Sequence, residues 1–473
     1  MLTHIPAIGE PVDNTQFQTL PLRSELTNNL THLGYQQMTE VQALSLPAIV
    51  SGRDVIAQAK TGSGKTAAFG LGLLQKLDEK AFRIQTLVLC PTRELAEQVA
   101  LEIRKLARLI HNIKVLTLCG GVPTGRQVDS LRHGAHIIVG TPGRVEDHLG
   151  RGSLNLNHVN TLVLDEADRM LDMGFEPAIE RIFKQIPASP QVLLFSATFA
   201  DNIHAISRRY MHKPEHIVVA QTHNQQTIAQ RFYQVHGADD KLLAVRLLIQ
   251  DHKPVSTVIF CNTKLETVQL SEQLQSCGYS AVALNGDLEQ RERDQAMIQF
   301  ANKSVSVLVA TDVAARGLDV DNLDLVINYS LAHDTEIHTH RIGRTGRAGN
   351  QGVACSFYSE KDHHKMALLN DLMDTDIVPE RLPDKDILQL PVIKPPMATI
   401  QILGGKKQKV RAGDIVGALT RGQELSADDV GKIQLLDNLA YVAVKQKIRN
   451  VALAKIVEGK LKGRKFKARI IRR

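Results

Sequence analysis

The chain has 473 residues, 43% of them apolar and 23% charged, with five cysteines and a formal net charge of +7. That apolar share is a globular protein's, and the length argues for about three domains with ample core. A basic-then-apolar leader, an apolar run of about eighteen residues and a C-x-x-C pair among Cys90, Cys119, Cys261, Cys277 and Cys355 are all missing, which argues against secretion, membrane insertion, a disulfide framework and a cysteine metal site.

DVIAQA (54–59) is apolar enough for a buried strand, and TAAFGLGLLQKL (66–77) spaces apolar residues at helical intervals without proline. The glycines of AKTGSGKT (59–66) therefore predict a strand-to-helix turn. Gly62 and Gly64 lack Cβ atoms, so consecutive N–H groups from Thr61 through Ser63 to Thr66 can converge on phosphate oxygens at a helix N-terminus. Lys65 would reach the β- and γ-phosphates and the Thr66 hydroxyl would hold Mg²⁺; Ala59 stands where the phosphate-loop pattern has its first glycine. A glycine-rich turn with a chance lysine is the alternative for the loop alone.

TLVLD (161–165) is a short apolar run ending in acid, which predicts a central parallel strand with carboxylates at its carboxyl end. Asp165 suits a metal ion and its water, and Glu166 suits deprotonation of an attacking water. An acidic pair on a solvated loop is the competing reading, and it loses ground with a phosphate loop upstream.

Similar runs at 85–90, 114–119, 136–140, 191–196 and 216–220 complete the βαβ rhythm of a parallel sheet covered on both faces. A polar stretch, 221–230, follows. The rhythm restarts at 257–262, 280–287, 305–312, 323–330 and 352–359, predicting a second α/β domain without a GKT loop of its own. Residues 382–397 carry Pro383, Pro391, Pro395 and Pro396 and read as a linker.

Beyond the prolines the pattern is strand (398–403), helix (412–420), strand (430–437), strand (440–446), helix (448–458), strand (465–471). That βαββαβ order is used by RNA recognition motifs, although only Tyr441 and Phe466 supply aromatics to these strands and the paired stacking positions are missing. Residues 404–473 hold 18 basic and 6 acidic side chains, a surplus of +12, whereas the other 403 residues sum to −5. Charge so concentrated is the footprint of a polyanion such as nucleic acid, with a solvated lysine-rich face as the alternative.

Read in order, Phe17 with GYQQMTEVQ (34–42), AKTGSGKT, PTRELA (91–96), Gly120-Gly121, TPGR (141–144), DEAD (165–168), SAT (196–198), VIFCNT (258–263), QRER (290–293), ATDVAARGLD (310–319) and HRIGRTGR (340–347) resemble the motif set of the DEAD-box RNA helicases. The resemblance implies two tandem RecA-like domains, 1–220 and 221–380, a linker, 381–397, and an RNA-recognition-motif-like domain, 398–473. It implies an RNA-dependent ATPase that unwinds short duplexes using ATP and Mg²⁺, with Thr66 and Asp165 as metal positions. Gln42 and Phe17 would read and stack on adenine, although Gln42 could equally be a helix-surface amide and Phe17 a hydrophobic anchor. Arg344 and Arg347 would be arginine fingers completing the catalytic set of Lys65, Asp165 and Glu166, and Asp319 a ribose contact. Asp168 would bond Ser196 and Thr198 to couple nucleotide state to RNA state, with a turn cap as their alternative role. Arg93, Gly121, Thr141, Arg144, Gln290, Arg293, Thr311 and Arg316 match RNA-backbone positions, which are sequence-blind.

The loop KTGSGKTAAFGLGLL and the run ILGGKKQKVRAGDIVGALT (402–420) resemble one bacterial subgroup of that family, whose C-terminal module binds large-subunit ribosomal RNA. This implies a cytoplasmic monomer acting on pre-ribosomal particles through 398–473, without a membrane partner. An ATP-gated RNA clamp and a DNA helicase are the alternatives.

Overall fold

The computed structural model describes residues 15–59, 62–187, 189–198, 201–219, 228–315, 323–346, 352–422, 424–461 and 463–471. The chain divides into a first compact unit, up to Thr222, and a second that holds the rest of the described chain.

In the first unit the strands are β1 (Val55–Gln58), β2 (Thr86–Leu89), β3 (Val115–Leu118), β4 (Ile137–Gly140), β5 (Thr161–Asp165), β6 (Gln191–Ser196) and β7 (Glu215–Val218). They form one parallel sheet in the order β3-β4-β2-β5-β6-β1-β7. Strands β2, β4, β5 and β6 are buried along their whole length, as their unbroken Val/Leu/Ile runs require when helices cover both faces. One face packs Phe69, Leu73, Val99 and Ile103 around Val88 and Val163, the other Met170, Ile179 and Ile182 around Leu162 and Leu164. Strand order reverses beside β1, and β6 lies between β5 and β1 with Asp165 opposite Phe195 and Gln58 opposite Ser196. Three motif-bearing strand ends are thereby neighbours at a switch point, where open α/β sheets place their ligands.

The second unit has β8 (Ile228–Gln234), β9 (Thr257–Cys261), β10 (Ala281–Leu284), β11 (Val307–Thr311), β12 (Leu325–Asn328) and β13 (Gly352–Tyr358), a parallel sheet in the order β10-β11-β9-β12-β13-β8. Strand β8 begins inside a stretch whose sequence reads as polar connection. It is an edge strand pairing only with β13, so its Gln230, Arg231 and Gln234 can keep polar character that a central strand excludes.

A four-stranded antiparallel sheet completes this unit: β14 (Met397–Ile402), β15 (Val430–Leu435), β16 (Ala440–Lys445) and β17 (Ala468–Ile470), in the order β15-β16-β14-β17. Its helices, Ala412–Leu419 and Arg449–Glu458, pack Ile415, Leu419, Ala452 and Ile456 on Ile400, Ile402, Val442 and Val444. The opposite face, bearing Thr399, Gln401 and Tyr441, is also buried. Asn302 Nδ2 donates to Thr399 Oγ1 at 3.1 Å, Ser304 Oγ lies 2.7 Å from the same oxygen, and the Met397 N–H donates to Lys303 O.

The proline-bearing segment runs along the second α/β domain. Leu382 and Val392 pack against its core, Gln250 Nε2 donates to Leu390 O at 3.0 Å, and Lys394 Nζ donates to Gly278 O at 3.1 Å. All five cysteines are free thiols, and among the described residues no helix is long and apolar enough to cross a membrane.

Candidate functional site

The glycine loop ends in helix Lys65–Lys76, with Gly64 at its N-cap in the left-handed region (φ 98°). A Cβ there would sit 2.5 Å from Gln42 Nε2 and 2.8 Å from Thr39 Oγ1. Both backbone angle and space thus demand glycine. Gln42, buried on helix Glu40–Val50, donates from Nε2 to Gly64 O at 3.1 Å and accepts from the Thr39 N–H at 2.9 Å. One N–H and one lone pair of the amide remain for a base. Phe17 is buried in the core of this unit with its ring edge-to-face to Tyr35. Lys65 is buried, its ammonium donating to Ala59 O at 2.7 Å.

The buried hydroxyl of Ser63 has no hydrogen-bond partner. An orphaned hydroxyl beside a cradle that a single Cβ would fill fits a polyphosphate. Thr66 follows on the first turn, where its hydroxyl could hold a cation. No three His, Cys, Asp or Glu side chains converge among the described residues, and magnesium needs no such cage when phosphates and waters supply most of its ligands.

Asp165 ends β5 and is buried. Burial pushes its pKa up to about 7, with Glu166 reinforcing the shift and Lys65 opposing it. A dication beside this carboxylate would favour its ionised form. Glu166 caps the next helix at φ 53°, an uncommon left-handed angle for a residue with a side chain, and accepts from Arg169 Nη1 at 2.8 Å. Asp168 Oδ2 accepts from the Ala197 N–H at 3.1 Å and from the Thr198 N–H and hydroxyl, each at 3.2 Å. Burial alone would raise its pKa, but Arg169, the Arg169 N–H, Lys65 and Ser196 together hold it below the usual carboxylate range. The structure therefore ties β5 to β6 through Asp168, Ser196 and Thr198.

At the β2, β3 and β4 ends, Thr92 caps helix Arg93–Leu106 by accepting from the Leu95 N–H, and Arg93 pairs with Glu97 at 2.8 Å. Gly121 is exposed at φ 72° in the turn after β3. Thr141 is the N-cap of helix Pro142–Gly150, on which Arg144 donates from Nη1 to Val122 O at 3.0 Å and to Gln127 Oε1 at 2.8 Å.

In the second unit Gln290 opens helix Gln290–Ala301 and bonds Asp294 at 2.8 Å, Arg293 lies on the same first turn, and Thr311 ends β11. Arg341, on helix Thr335–Ile342, is 1% exposed. Its guanidinium grips both Asp312 carboxylate oxygens at 2.6 and 2.7 Å, and donates to Asn262 Oδ1 at 2.8 Å and Ser330 O at 2.7 Å. Arg344 follows in the turn after that helix and is 8% exposed. Thr61, Arg316, Asp319 and Arg347 lie outside the described residues.

Sequence reasoning missed Arg169, Gln127, His148 and the Asp312–Arg341 pair. The last was within reach, since both residues fall inside quoted motifs. The others are assigned only by what folding brings near them.

Three family models match: DEAD/DEAH box helicase over residues 39–206, helicase conserved C-terminal domain over 239–349, and DbpA RNA binding domain over 399–470. ATP-dependent RNA helicase DbpA of Escherichia coli K12 is 50% identical over 97% of this chain and 100% of its own length. DbpA of Bacillus subtilis 168 is 36% identical over 91% of this chain and 94% of its own. Among solved structures, S. cerevisiae Dbp5 bound to RNA and ADP BeF3 is 30% identical with a TM-score of 0.70, over 79% of this chain and 99% of that one.

Proposed function

Because this chain belongs to the DEAD-box family of ATP-dependent RNA helicases, we propose that it unwinds short duplexes in large-subunit ribosomal RNA while pre-ribosomal particles assemble in the cytoplasm, acting as a monomer. The observation that carries the chemistry is the run of adjacent strand ends at β1, β6 and β5, with Asp168 bonded across to Thr198. Lys65 and the loop from Thr61 to Thr66 bind the triphosphate, and Gln42 and Phe17 recognise the base. Thr66 and Asp165 hold Mg²⁺, which when bound neutralises phosphate charge. Glu166 accepts the proton of the attacking water, Arg344 and Arg347 stabilise the transferring phosphoryl group, and Asp319 meets the ribose. Arg93, Gly121, Thr141, Arg144, Gln290, Arg293, Thr311 and Arg316 hold the RNA backbone, whose state reaches the nucleotide through Asp168, Ser196 and Thr198.

Targeting rests on the C-terminal module. Its sheet face is occupied by Asn302 and Ser304, so base stacking there is blocked, and the exposed Lys406, Lys409, Arg411, Lys465 and Lys467 offer the cationic surface instead. The hydrogen bond from the Leu403 N–H to Lys467 O joins the two segments that bear them. The test is ATPase activation of the full chain by a large-subunit hairpin fragment and by an unrelated hairpin of equal length. Preference for the first, lost in a Lys406→Glu/Lys409→Glu/Lys465→Glu variant, is expected; equal activation by both would remove the ribosomal assignment. A duplex-release assay on the same RNAs separates unwinding from an ATP-gated clamp.

A further inference from the structure

Gln127 lies on helix Thr124–Arg132, belongs to none of the sequence motifs, and is 8% exposed. Its side chain joins the two loops expected to hold RNA in the first unit. Nε2 donates to Cys119 O at 3.0 Å, at the root of the turn carrying Gly120 and Gly121. Oε1 accepts from Arg144 Nη1 at 2.8 Å and meets His148 Nε2 at 2.9 Å. Both lone pairs of that oxygen are thus used.

His148 is fully buried, and its Nδ1 lies 2.8 Å from Ser153 Oγ. Burial, and Arg144 nearby, lower its pKa. A neutral ring that donates from Nε2 to Gln127 and accepts from Ser153 at Nδ1 satisfies every group in the cluster. The Arg144 side chain reaches solvent, at 16% exposure. Its Nη1 is held by Gln127 and Val122 O, and its Nε lies 3.9 Å from Asp147. Among the described residues Nη2 has no protein partner.

We propose that Gln127 is a positioning residue for RNA binding: it locks the Arg144 guanidinium to the Gly120-Gly121 turn so that Nη2 is presented to a backbone phosphate. This rests on the proposed RNA role of Arg144. The amide is suited to the task because it donates to one loop and accepts from the other, keeping both in register without adding a charge. A guanidinium fixed before RNA arrives loses less entropy on contact than one free to rotate.

The test titrates a single-stranded RNA against ATPase activation of the full chain at several salt concentrations, for wild type, Gln127→Met, Arg144→Ala and the double variant. Each single variant should raise the half-activating RNA concentration about tenfold. Each should also flatten the slope of log affinity against log salt by about 0.7, the loss of one phosphate contact on single-stranded RNA. The double variant should be within about twofold of Arg144→Ala, since the two residues act as one unit. A wild-type salt slope in Gln127→Met, or a further tenfold loss on top of Arg144→Ala, overturns the proposal and leaves the Arg144 contact standing. An unchanged slope in Arg144→Ala overturns both together. Should Gln127→Met fail to fold, Gln127→Glu keeps acceptor oxygens for Arg144 but sets a carboxylate oxygen against Cys119 O and so cuts the tie to the turn; it should flatten the slope, and a wild-type slope there overturns the proposal.

Discussion

Gly64→Ala tests whether the phosphate loop and the glutamine that closes over it form a single mechanical unit. An alanine forced to φ 98° bears a left-handed penalty of about 1–2 kcal/mol. Its Cβ would intrude to 2.5 Å from Gln42 Nε2. If Gln42 swings away, its bonds to Gly64 O and from the Thr39 N–H are lost, at about 1 kcal/mol each. The total is about 3–4 kcal/mol, divided between strain kept in the fold and loss of the loop's binding geometry. Denaturant unfolding reads the first share, and equilibrium titration with a fluorescent ATP analogue reads the second. A full transfer to binding would weaken ATP about 10²-fold or more. In a Gln42→Ala background the clash with Gln42 and its two bonds are already gone, so the penalty should shrink towards the backbone share of about 1–2 kcal/mol, the approach to Thr39 Oγ1 at 2.8 Å alone remaining. If Gly64→Ala left both readouts within about 0.5 kcal/mol of wild type, or cost the same in both backgrounds, the link between Gln42 and the loop would be wrong.

Glu166→Gln should bind ATP and RNA yet turn over at least about 10²-fold more slowly, and turnover within threefold of wild type would remove Glu166 as base. Arg341→Ala should destabilise the second unit by about 3–5 kcal/mol in denaturant unfolding, because it strands a half-buried Asp312 carboxylate; Arg341→Lys should recover little, lacking the planar fork. His338 has its pKa lowered to about 4 by burial and by nearby Arg341, against 6.5 for the free side chain. Between those values the unfolded chain takes up a proton that the folded chain refuses, so stability falls as pH drops from 6.5 to about 4, by about 3 kcal/mol in all, and is level below that. His338→Gln should flatten this acid limb in unfolding measured against pH, and an unchanged slope would show that other groups set it.

The parallel sheets were legible because a strand buried on both faces writes an uninterrupted apolar run, as TLVLD and QVLLFS do. Strand β8 was not, since an edge position lets IAQRFYQ look like connection. The nucleotide-side expectations could be formed from the sequence because phosphate binding compresses its requirements into contiguous residues, as in AKTGSGKT and DEAD. The support behind it is dispersed. Gln127 meets partners 8, 17 and 21 positions away, at distances no short motif can encode. The sparse aromatics of β14 and β16 leave the C-terminal sheet without paired stacking positions, and the fold buries that face. What the sequence did not disclose is the partners of that face: the polar Thr399 and Gln401 are matched to Asn302, Ser304, Arg469 and the Tyr441 hydroxyl.

That matching bears on how such a module can be transplanted. The prolines between 382 and 397 look like a natural seam for joining the recognition module to another helicase, yet a cut there would separate Thr399 from Asn302 and Ser304 and Leu390 from Gln250. A chimaera so made would carry an orphaned sheet face and tumble as an independent bead. The transferable cassette is larger: it begins before β8, so that the whole second parallel sheet, with the donor's Gln250, Asn302, Lys303 and Ser304, travels with the surface it covers.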